Sequence, residues 1–170
     1  MVRTDILWGR DELEQNMSED LESARKYLEQ RSENASLADG LPTRFWEPLI
    51  MSSIKVDLIE PGRVLCSMKI PQRLINAGNS LHGGVTATLV DLVGTAAIRS
   101  SGAPRLGVSV EINVSYLDAA YADEEIEIEA RTLRIGKAVG VVSVELRKKK
   151  TGKLFAQGRH TMYLAVSSKM

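Results

Sequence analysis

Hydrophobic positions change their period three times along this chain. In the first stretch Leu13, Met17, Leu21, Ala24 and Leu28 recur at helical spacing, which predicts an amphipathic helix from about Asp11 to Arg31 with a charged, solvated side. Residues 32–43, SENASLADGLPT, are rich in turn formers and read as a linker. After Phe45 and Trp46 the period falls to two: Ile54, Val56 and Leu58 alternate with polar residues as far as Glu60-Pro61-Gly62-Arg63. Proline second and glycine third suit a type II turn, and Val64, Cys66, Met68 and Ile70 alternate beyond it, so a hairpin is predicted. A loop from Pro71 to Leu81 leads into His82-Gly83-Gly84 and a helical stretch whose one acidic residue is Asp91. Four more alternating segments follow, around Val108–Val114, Ile126–Ile128, Val142–Leu146 and Leu154–Met162. Alternation groups Ser109 with Glu111 and Asn113, and His160 with Ala156, Gly158 and Met162.

A helix with so few charges needs cover nearly all round, and a sheet of six strands is the one large surface available. The expected class is therefore α+β, with a six-stranded antiparallel sheet wrapped round a central helix and an extra helix in front. Such a sheet leaves an edge and one face to hide, which predicts self-association. The expected division is residues 1–44 as helix and linker, and 45–170 as the domain proper.

Composition narrows the partners. The chain has 170 residues, with 22 Lys and Arg against 22 Asp and Glu, so no net basic field argues for nucleic acid or an anionic membrane surface. The least polar stretch, Gly83 to Ile98, is shorter than the roughly 20 residues of a spanning helix, and it contains Asp91. No membrane span is expected. The start, MVRTDILWGRDELEQ, shows acidic residues at once and no apolar run, which fits neither a secretory signal nor a typical transit peptide. Cys66 is the single cysteine. It falls on the apolar face of its strand and reads as core, and one cysteine supports neither a disulfide framework nor a multi-cysteine zinc module, so no metal is expected.

Two segments carry candidate chemistry. Asp91 is either a base or nucleophile in a poorly solvated cleft or one member of a small, polar stripe, Gly84, Thr88, Asp91 and Thr95, that faces water. At His82-Gly83-Gly84 a helix begins, where backbone N–H groups lack partners and carry positive dipole character. Glycines there let a substrate oxygen approach closely, as an oxyanion hole requires. Taken alone, Asn76 is a turn residue and Ser109 an outward-facing hydroxyl.

Together the residues resemble a family. The run N-A-G-N-S-L-H-G-G-V-T-A-T-L-V-D from Asn76 to Asp91, Ser109 within G-V-S-V-E-I-N-V-S-Y, L-x-x-G-K at 133–137 and T-G-K-L-F-A-Q-G-R-H at 151–160 resemble the hotdog-fold acyl-CoA thioesterases over roughly residues 45–165. The resemblance implies hydrolysis of the thioester in medium- to long-chain fatty acyl-CoA, with no cofactor. By the same resemblance Asp91 activates water or attacks the carbonyl, the Gly83 N–H stabilises the oxyanion, His82 and Asn76 orient the thioester, and Ser109 helps place the water. It further implies that Asp91 comes from one subunit and the Asn76–Gly83 segment from another. With a sheet face to cover and a site that needs two chains, a homo-oligomer is expected as a dimer of dimers, and the expected compartment is the cytoplasm or the mitochondrion. Gly84, Lys137, Arg159 and His160 complete the substrate-binding set, the last three read as turn or strand-end residues that meet the coenzyme A phosphates. Two alternatives remain open: a hotdog hydratase or dehydratase, and a non-catalytic acyl-CoA binder.

Overall fold

The computed structural model describes residues 10–29, 40–102 and 107–164, with side chains of the first helix described at Glu19 and 21–29. The chain divides into two units, Met1–Phe45 and Trp46–Met170. The first contains α1, Arg10–Glu29. On it Leu21 and Leu28, from the periodic apolar stripe, are 66% and 67% exposed. Leu13, Met17 and most of the expected linker lie outside the described side chains and residues.

In the second unit a short helix, α2 (Trp46–Met51), precedes β1 (Ile54–Glu60) and β2 (Arg63–Lys69). Gly62 takes φ of 78° in the turn between them, the left-handed conformation that a type II turn asks of its third residue. A single 3-10 turn at Gln72–Leu74 leads to the loop before α3 (Gly83–Ser100), and β3 (Val108–Tyr116), β4 (Glu125–Ile135), β5 (Val139–Lys148) and β6 (Leu154–Tyr163) complete the chain. The six strands form one sheet in the order β1-β2-β4-β5-β6-β3, every neighbouring pair antiparallel. This is the hotdog architecture: α3 lies on one face of the sheet and touches all six strands.

The core follows from the alternation. Val64, Cys66 and Met68 on β2, Ile126, Ile128 and Ala130 on β4, and Val142, Val144 and Leu146 on β5 are buried beneath Val85, Leu89, Val90, Val93, Ala97 and Ile98 of α3. Cys66 is a core residue, and burial, aided by Asp57, pushes its thiol up to about 11, far from thiolate chemistry. The opposite face of the sheet is polar, with Glu129 paired to Arg63 at 2.7 Å and Arg131 at 2.6 Å, and Glu145 to Arg147 at 2.6 Å. Exposed apolar side chains stand on edge strand β3, at Val108, Val110, Ile112 and Tyr116, and at Tyr163 and Val139, which pair with each other on the neighbouring strands.

Among the described residues the register shifts at four places and so breaks the parity that simple alternation implies. Two of them lie in the β4–β5 pair, between Thr132 and Arg134, and in the β5–β6 pair, between Leu146 and Arg147. In β1 the register shifts between Val56 and Leu58. In β3, Ser109 stands opposite Met162 and Glu111 opposite Thr161, so Val110 is the extra residue. A bulge turns the strand by one position. Ser109 therefore shares the helix-facing side with Ile112, which pairs with His160, rather than the outer side that alternation gave it.

Helix and sheet approach closely where α3 crosses β6. A Cβ added at Gly158 would lie 2.6 and 2.7 Å from the two methyl carbons of Val90. The β-branched valine has little rotamer freedom to withdraw. Gly158→Ala should therefore destabilise the protein by about 1–3 kcal/mol, the usual cost of overpacking; chemical denaturation beside the wild type measures it, and an unchanged midpoint would show that α3 is free to lift.

Candidate active site

The loop before α3 is built by its own side chains. Asn76 accepts the Gly78 and Ser80 N–H groups on Oδ1 at 2.8 and 3.2 Å and donates from Nδ2 to the Ser80 hydroxyl at 3.0 Å. It is the turn residue that sequence reasoning offered as its plain role, and it also lines a groove with Ser80, Gly83, Tyr116 and Leu117. The 3-10 turn just before it is anchored by Arg73, whose guanidinium donates to the Leu49 carbonyl and to the Ser52 and Ser53 hydroxyls. His82 N donates to Leu74 O at 2.9 Å, and Leu81 N to Ala120 O at 2.7 Å, fixing where the helix begins.

At the start of α3, His82 is the N-cap, and its Nδ1 accepts the Gly84 N–H at 2.9 Å. The Gly84 N–H is committed to that bond and is not a free donor. An accepting Nδ1 places the proton of the neutral His82 ring on Nε2, so His82 offers a donor at its exposed end. The Gly83 N–H is one of the first-turn donors an α-helix leaves unpaired, and it has no partner among the described residues. Gly83 O accepts the Tyr116 hydroxyl at 2.9 Å.

Eight residues along the same helix, Asp91 is neither sealed in nor fully solvated, its side chain 39% exposed. It lines a second groove with Ala87, Thr88, Ile112, Val114 and Tyr116. The Ser109 hydroxyl donates to Asp91 Oδ1 at 3.1 Å, and His160 Nε2 lies 3.0 Å from Ser109 Oγ and 3.5 Å from Asp91 Oδ1. With the serine hydrogen spent on the carboxylate, the imidazole is the donor to the serine oxygen. The three groups form a chain of hydrogen bonds from His160 through Ser109 to Asp91. It orients the carboxylate and leaves the second oxygen to the groove.

His160 is not a phosphate contact. It is 0% exposed, inside β6 and paired with Ile112 and Val142. The alternation that grouped it with Ala156, Gly158 and Met162 carried the true signal. Its Nδ1 has no partner among the described residues, and a Cβ at Gly94 would sit 3.2 Å from that nitrogen. A protonated ring would bury an unpaired N–H there. Burial accordingly lowers the His160 pKa from its ordinary 6.5, against the upward pull of the Asp91 charge. Arg159 and Lys137 are exposed, Arg159 on the opposite face of β6 and Lys137 in the β4–β5 turn. Neither lines either groove. Among the described residues no three His, Cys, Asp or Glu side chains gather as a metal site, and no helix is long and apolar enough to cross a membrane.

The geometry agrees with comparisons to known proteins. Residues 78–155 match the family described as the thioesterase superfamily. Human acyl-coenzyme A thioesterase 13 is 45% identical over 117 residues, covering 68% of this chain and 82% of the human one. Among solved structures, thioesterase superfamily member 2 from zebrafish superposes with a TM-score of 0.68 at 40% identity, covering 79% of this chain and 94% of that one. The mouse protein of the same name superposes with a TM-score of 0.67 at 39% identity, covering 72% and 90%.

The neutral His160 sets a pH dependence. Below its ordinary pKa of 6.5 the unfolded chain binds a proton that the folded one resists, so the unfolded state gains and stability falls as pH drops through that range. The melting temperature should decline from about pH 7 to about pH 5, and His160→Asn should flatten part of that slope. An equal slope in the variant would mean that other groups set it.

Proposed function

The chain belongs to the thioesterase superfamily, in its acyl-coenzyme A thioesterase family, and from that premise we propose that this thioester hydrolase acts on medium- to long-chain fatty acyl-CoA. The observation that carries the mechanism is the half-exposed Asp91 carboxylate held by Ser109 and His160 at the mouth of a groove. An ionised carboxylate so placed takes a proton from water as it attacks the thioester carbonyl, or attacks the carbonyl itself. His160, neutral and donating, serves the carboxylate as an orienting group. Ser109 passes that orientation on, and its remaining lone pair faces the water. The Gly83 N–H stabilises the oxygen as it gains charge, with the Nε2–H of His82 and the Asn76 amide beside it. A thiolate leaves readily, so no serine triad and no strong acid are needed.

Helix geometry adds a constraint. Gly83 and Asp91 are eight residues apart on one helix, about 12 Å along its axis at 1.5 Å per residue. A carbonyl in contact with one of them is out of reach of the other. The complete site therefore takes Asp91 from one copy and the Asn76–Gly83 segment from a second, and the apolar residues of edge strand β3 support such pairing. A homo-oligomer, with a dimer as the smallest active unit and a dimer of dimers as the full assembly, follows from this reading.

Two measurements test it. Purified protein should release free thiol from a series of esters running from acetyl- to palmitoyl-CoA, fastest toward the longer chains, and Asp91→Asn should lower turnover by about 10²-fold or more with its melt retained. Absence of release from every ester would shift the reading to a binder. Light scattering at micromolar concentration should find an oligomer, and an active monodisperse monomer would refute the shared site.

A further inference from the structure

Two consecutive glycines at a helix start are the loosest arrangement a backbone offers, since neither residue has a Cβ to restrict its torsions. Yet the oxyanion donor must be held still to act before charge develops. The peptide group that follows Gly83 is gripped at both ends: its carbonyl, Gly83 O, accepts the Tyr116 hydroxyl at 2.9 Å, and its N–H, on Gly84, is accepted by His82 Nδ1 at 2.9 Å. The Tyr116 ring also lies against the glycine, because a Cβ at Gly83 would be 3.5 Å from its Cε1, Cζ and hydroxyl oxygen. Tyr116 is 57% exposed, so burial does not explain where its ring stands. It is also the one residue shared by the linings of the Gly83 groove and the Asp91 groove.

We propose that Tyr116 is a positioning residue for hydrolysis: its hydroxyl, with His82, clamps the Gly83–Gly84 peptide, and this fixes Gly83 so that its own N–H, on the preceding peptide, stays aimed into the groove. The proposal rests on the thioesterase reading for its catalytic consequence. The clamp itself is a property of the backbone and is measurable without substrate. Tyr116 belongs to the last position of β3, downstream of the Val110 bulge, so the strand that brings Ser109 to Asp91 also brings the tyrosine to the helix start.

Tyr116→Phe keeps the ring and removes the hydroxyl. In steady-state hydrolysis of lauroyl-CoA the variant should lose about tenfold in kcat, with KM within about twofold and the melting temperature within about 2 °C of wild type. Hydrogen exchange of the Gly84 amide, followed by NMR in the full-length protein, should quicken by about tenfold as the clamp loosens. Asp91→Asn runs alongside as the marker of the thioesterase reading. A Tyr116→Phe enzyme with wild-type kcat beside an inactive Asp91→Asn enzyme would overturn the proposal and leave that reading intact. A raised KM with kcat preserved would also overturn it, since tyrosine would then be a substrate contact. Should wild type release no thiol from any ester, the thioesterase reading fails, and unchanged Gly84 exchange in Tyr116→Phe would separately reject the clamp.

Discussion

The structure turns on how closely α3 can lie on β6. Gly158 presents no side chain beneath Val90, and Gly94 presents none above the imidazole of His160. These absences let helix and strand meet almost backbone to side chain, near the close-packed limit of a protein interior. The closeness has a chemical result. Asp91, three residues before Gly94 on the helix, comes within 3.5 Å of a histidine rooted in the sheet. Had either glycine carried a methyl group, the helix would ride higher and the carboxylate would lose its support.

That support is electrostatic as well as geometric. An imidazole with one nitrogen bare in an apolar pocket resists a second proton, because the added N–H would find no acceptor. His160 is thereby kept as a neutral donor. It steadies the carboxylate without neutralising it by proton transfer, which is the state hydrolysis needs in the proposed mechanism. The start and the middle of α3 hold different kinds of group. At its start are N–H donors with positive dipole character; two turns on is a negative charge.

Much of this was legible in the chain. Period-two alternation marked the strands and the apolar segment after His82 marked the central helix, because both patterns record which side faces the core. Alternation also placed His160 on the core side, although its basic side chain and its place next to Arg159 invited a reading at the surface. Ser109 was not placed so well by its pattern. A bulge is invisible to alternation, since it adds one residue without changing the residue types around it, and only the pairing partners reveal it. The spent hydrogen of Gly84 was hidden for a related reason: a cap depends on one rotamer of His82, which sequence does not record. Tyr116 reads as an ordinary strand residue, and its bond to Gly83 spans 33 positions.

The Val110 bulge has one more implication, for how the gene can change. Val110 is 65% exposed, and its presence as a spacer matters more than its identity. Substitutions there leave the phase of the strand alone. Loss of the codon restores strict alternation, and whichever side of the deletion keeps its pairing with β6, the other is turned over. If the C-terminal half holds, the serine hydroxyl swings away from the carboxylate; if the N-terminal half holds, the tyrosine leaves the helix start. The reading length of this strand is thus under tighter constraint than the spelling of its bulged residue.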